Sequence, residues 1–113
     1  MKTNFNDAIA KLRIARDVTA DELCNDNVPP VQAVTFELYK MLAVLLASCQ
    51  TASGTKSFRD KTALILLQEE TNQMELTKEF QEAAELAKGD IVNGNFLKRY
   101  WEAKALLADI LED

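Results

Sequence analysis

The sequence predicts an all-α fold, on three observations. Ala, Leu, Glu and Lys are plentiful, so helix propensity is high almost everywhere. Only three Gly and two Pro interrupt the chain. Its β-branched residues never alternate with polar ones in the runs that a strand needs. With 113 residues it can bury one core without metals or disulfides. The expected architecture is a single-domain bundle of four main helices, about 4–17, 30–52, 57–88 and 95–112, with a short extra helical turn near 20–25.

Asn4 or Asn6 suits the cap of the first helix, and Phe5, Ala8, Ile9, Leu12 and Ala15 follow at helical spacing. Thr19-Ala20-Asp21-Glu22 reads as a capping box, the Thr hydroxyl and Glu carboxylate each satisfying a free N–H. It implies a short second helix to about Cys24, or a restart of the first. "CNDNVPP" is polar and ends in prolines, hence a turn, with Pro30 in the first turn of the next helix.

In that helix Val31, Val34, Leu38, Met41, Leu42, Leu45 and Cys49 form one broad stripe. Phe36, Ala43 and Ala47 form a second on another side, and no charge occurs from Met41 to Thr55. The expectation is burial on more than one side. Leu46-Ala47-Ser48-Cys49 resembles the end of a bacterial lipoprotein signal, but forty patterned residues precede Met41, and the unbroken apolar run covers only Met41 to Ala47. A spanning helix needs about 20 apolar residues. We therefore read the stretch as the centre of a soluble, cytoplasmic core.

Gly54 suits a left-handed C-cap, and Ser57 with Asp60 a weaker capping box. Leu64, Ile65, Leu67, Thr71 and Met74 continue the third helix; Leu76, Phe80, Ala83, Ala84 and Ala87 then follow on a shifted face. Either one long helix twists its stripe, or Thr71-Asn72 breaks it. The lack of Gly and Pro favours one helix, ending at Lys88-Gly89. "GDIVNGN" reads as a loop. Asn95 then caps a last helix whose Phe96, Tyr100, Ala103, Leu107 and Ile110 face the core.

Much chemistry is excluded. There is no histidine, which removes Ser-His-Asp and Cys-His catalysis, His-ligated zinc and the usual neutral-pH proton shuttle. Cys24 and Cys49 lie 25 residues apart with no metal-ligand spacing, and Cys49 has no neighbouring base or cation to activate it. Both fit reduced, buried small hydrophobes. The net charge of −5 lies wholly in residues 57–113, and no basic patch exceeds Lys98-Arg99, so duplex nucleic acid is not the expected partner.

Two features remain as candidate sites for a partner. Six glutamates and one lysine lie between Glu69 and Glu85, with Glu75, Glu79 and Glu82 on one stripe. Such a face suits a basic surface on another protein. Trp101, with Leu97 beside it, is the second, since Trp is a favoured interface anchor. Homodimerisation through this flank or through Phe36, Ala43 and Ala47 would use the same chemistry.

Glu79-x-x-Glu82 and Glu82-x-x-Glu85 resemble half of the magnesium clamp of all-α nucleotide pyrophosphohydrolases. That pattern pairs Glu-x-x-Glu with a Glu-x-x-Asp on another helix, and no Glu-x-x-Asp occurs here. No metal or cofactor is expected. "FQEAAELAKGDIVNGNF" resembles a helix-turn-helix in its paired alanines and glycine, but Asp90 stands where an apolar residue is needed. The expected function is thus non-catalytic: a small acidic module that masks a partner protein, as an inhibitor, immunity protein or chaperone does. A dimeric nucleic-acid regulator pairing Lys98, Arg99 and Lys104, and a carboxylate-metal hydrolase, are the alternatives.

Overall fold

In a computed structural model, which describes residues 5–25, 29–52, 61–88 and 91–112, every element is an α-helix. They are α1 (Phe5–Asn25), α2 (Pro29–Ala52), α3 (Thr62–Met74), α4 (Lys78–Lys88) and α5 (Ile91–Glu112). The predicted caps at Asn4, Gly54 and Ser57/Asp60 lie outside the described residues, as do Asp26, Asn27 and Val28 of the "CNDNVPP" turn; its Cys24 and Asn25 end α1, its Pro29 and Pro30 open α2, and Asn6, the other candidate cap, lies inside α1.

α2 is the hub, packing against all four other helices. By length and composition Pro29–Thr51 could cross a bilayer. In this fold Val31, Val34, Leu38, Met41, Leu42, Leu45, Leu46 and Cys49 are buried against the chain's own helices instead. At 100° per residue they cover an arc of about 140°, wide enough for several neighbours to share. Buried Thr35 satisfies its hydroxyl by donating to the Val31 carbonyl at 2.8 Å. The second apolar stripe behaves differently. Phe36 and Ala47 are exposed and Ala43 only half-buried, so burial on a second side is not observed.

α1 runs unbroken through the predicted gap, so the separate turn near 20–25 is part of it. Thr19 is no cap. Its hydroxyl donates to the Ala15 carbonyl at 2.7 Å, one turn back, and accepts from Arg99 Nε at 3.2 Å. Glu22, the other half of the supposed capping box, pairs with Arg99 of α5. A threonine on the same face as Ala8 and Leu12 is buried with them and continues the helix.

The predicted helix 57–88 is two helices. Along one straight helix, Phe80, Ala83 and Ala87 would face roughly 180° away from Leu64, Leu67 and Thr71. Both sets are buried, which requires a bend. It falls at Glu75-Leu76-Thr77 rather than Thr71-Asn72. α3 tightens at its end, with Leu76 and Thr77 N–H groups donating to Gln73 and Met74 carbonyls at 3.1 and 2.9 Å. Thr77 Oγ1 accepts the Phe80 N–H at 3.3 Å and so caps α4. Leu76, expected in the core, projects from the elbow with 80% of its surface exposed.

α5 begins at Ile91, four residues before the expected cap Asn95. Gly94 and the two asparagines lower helix propensity by only about 2 kcal/mol in all. Burial of Phe96, Tyr100, Ala103, Leu107 and Ile110 downstream outweighs that. Lys61, at the N-cap of α3, donates to the Leu111 carbonyl at 3.4 Å and places a cation at the C-terminus of α5.

Candidate functional site

The bend in the third helix shapes the surface around it. α3, running into the elbow, and α4, leaving it, form one wall of an apolar hollow, and α2 forms the other. Val34 and Phe80, both buried, make its floor; Ala33, Phe36, Met74 and Thr77 line its sides. Its volume is about 260 Å³, and the carboxylates of Glu37 and Glu79 stand on opposite walls. On the other side of Phe36 lies a shallower hollow of about 460 Å³, lined by Leu23, Pro29, Gln32 and Ala33. Phe36 lines both and stands as the ridge between them, with 49% of the residue exposed. Lys40 lies over that ring, 5.7 Å from its centre, and pairs with Glu37 at 3.4 Å.

The elbow is held from behind by α5. Glu75 forms an ion pair with Lys104, both side chains mostly buried. Tyr100 Oη donates to the Thr71 carbonyl at 3.4 Å. Desolvation raises the Tyr100 pKa, and the Glu75 charge and hydrogen bond raise it further, so the phenol stays protonated. Trp101 closes this corner. Its ring meets Tyr100 and Phe80 edge-on, at centroid distances of 5.0 and 6.2 Å, with Lys104 5.6 Å above it.

The five candidate residues from the sequence are therefore not one surface. Glu75 turns inward to Lys104 and holds the fold. Glu79 lines the apolar hollow, and Glu82 is exposed on α4 with Lys78 at 3.9 Å. Leu97 packs against the core. Trp101 keeps 47% of its surface exposed and touches Phe80 without lining the hollow. Two of the three cations of the nucleic-acid alternative, Arg99 and Lys104, are engaged by Glu22 and Glu75. Sequence reasoning missed the hollows and placed the exposed Leu76 in the core. The available signal was Phe36, a large ring placed off the buried stripe of its helix.

Among the described residues, no group of three His, Cys, Asp or Glu side chains is arranged to hold a metal. Both cysteines are free thiols; Cys49 is buried as expected, whereas Cys24, near the end of α1, is exposed rather than buried. Burial pushes the Cys49 thiol up to about 11, which keeps it un-ionised at neutral pH and a poor nucleophile. Around Phe36 the surface combines apolar side chains with the carboxylates of Glu37 and Glu79. Compared with protein-family models, with curated proteins and with solved structures, the chain matches none of them.

Proposed function

We propose that this chain is a non-catalytic, cytoplasmic protein-binding module that masks a functional surface of a partner protein. One observation carries the reading: the exposed ring of Phe36 between two apolar hollows, with carboxylates on the rim. Large apolar side chains exposed beside concave apolar surface lose water favourably when covered, and cluster in association sites. The acidic rim adds selection for a basic partner and speeds the encounter. Masking, rather than a signalling conformational change, suits a helical body organised around one buried hub.

The test is recovery from the native host. Tagged protein should retain one protein at fixed stoichiometry, and adding purified protein to that partner should suppress its activity or displace its other ligand. Retention of only a metabolite or nucleic acid, or a partner whose activity is unaffected, overturns the proposal.

A further inference from the structure

Resting on that reading, we infer that the Phe36 face receives an amphipathic helix of the partner. Its apolar residues straddle the ring, and its Lys or Arg side chains meet Glu37 and Glu79. The hollows on either side of Phe36 accept two apolar side chains from one incoming element. Residues three or four apart on a helix stand about 5–6 Å apart on one face, which lets a pair enclose a phenyl ring. An extended peptide has less to gain. The described backbone is helical on both walls, so no strand edge is on offer for main-chain pairing.

Charge selects the sign of the visitor. Both walls carry a carboxylate at the rim, Glu37 from α2 and Glu79 from α4, and Glu82 lies further along α4. Lys40 shows what they accept: the chain's own ammonium rests on the Phe36 ring and on Glu37. Both partners of that pair are substantially exposed, so an incoming cation displaces Lys40 at little cost. A second copy on a two-fold axis through Phe36 would instead set each hollow over the other copy's second hollow, so Glu37 and Glu79 would face a lining of Leu23, Pro29 and Gln32, which offers them no cation and neither hollow a side chain to fill it.

The experiment uses the full chain and two synthetic helical peptides, one of leucine and lysine, the other with glutamate replacing lysine. Titration followed by amide NMR should show saturable one-to-one binding of the lysine peptide. Shifts should centre on Ala33, Phe36, Glu37, Thr77 and Glu79. The glutamate peptide should bind at least tenfold more weakly, and Phe36→Ala should weaken the lysine peptide tenfold or more while leaving the helical spectrum unchanged. Equal binding of both peptides, shifts centred elsewhere such as Ile14 and Val18 on α1, insensitivity to Phe36→Ala, or a dimer that closes this face overturns the inference. If a native partner is captured equally well by Phe36→Ala, the masking role stands and the groove assignment falls. Should the lysine peptide behave as expected while no native protein is retained, the groove stands and the masking role falls.

Discussion

Replacing Lys104 by Met tests whether the elbow is held by α5. Met keeps most of the apolar stem and removes the ammonium. Glu75 then stays in a site where only 19% of its side chain meets water, with its cation gone. An exposed pair contributes about 0.5 kcal/mol. Stranding one charge of a fully buried pair costs about 3–5 kcal/mol. With each side chain about one-fifth exposed, the loss should be near 2 kcal/mol, plus about 0.5 kcal/mol for the Lys104–Trp101 contact. In a chain of this size that lowers Tm by about 10 °C. Glu75→Gln alone should cost less, because it strands a cation that can reach water. The double variant should lose about 1–2 kcal/mol less than the sum of the singles. Urea unfolding followed by far-UV circular dichroism gives all four stabilities. Additivity within about 0.5 kcal/mol would refute the claim that this pair pins the elbow.

The other expectations concern single features. Thr77→Ala removes the α4 cap and should cost about 1 kcal/mol, with hydrogen exchange accelerated first at α4 amides; uniform acceleration would count against a local cap. Leu42→Asp places an unpaired charge at a position 1% exposed and should abolish the helical spectrum, so a folded variant would contradict the packing around α2. An unfolded thiol ionises near pH 9.0, whereas Cys49 holds its proton to about 11. Between those values the unfolded chain binds fewer protons than the folded one, so stability falls as pH rises, by up to roughly 3 kcal/mol. Urea midpoints across that range should fall less steeply for Cys49→Ala, and an unchanged slope would remove Cys49 as the cause. Reversing Glu79 and Glu82 to Lys should leave stability within about 0.5 kcal/mol yet slow partner association, measured by stopped flow. Equal rates would make them a solvated face.

Helix identity was legible because the 3.6-residue period is strong, and α2 keeps its range to within one residue. Breaks were harder. The half-turn of phase between Leu67 and Phe80 already demanded a bend, but without Gly or Pro nothing local marked where. Tertiary contacts chose the place: Glu75 reaches Lys104, Thr71 receives Tyr100, and Thr77 caps α4 immediately beyond them. Thr19-x-x-Glu22 misled for the complementary reason. Both side chains answer to Arg99, about 80 positions later, which no window along the sequence can include. The glutamate stripe was legible as composition only. Which carboxylates face solvent depends on where α5 brings its cations.

Because α2 touches every other described helix, each of them covers part of one shared core. Loss of any one of them strips apolar cover from the same central rod. The molecule is therefore expected to melt as a unit, and the face at Phe36 shares in that unity: the ring is exposed, but Val34, Thr35 and Leu38 beside it on the same helix are buried in the common core.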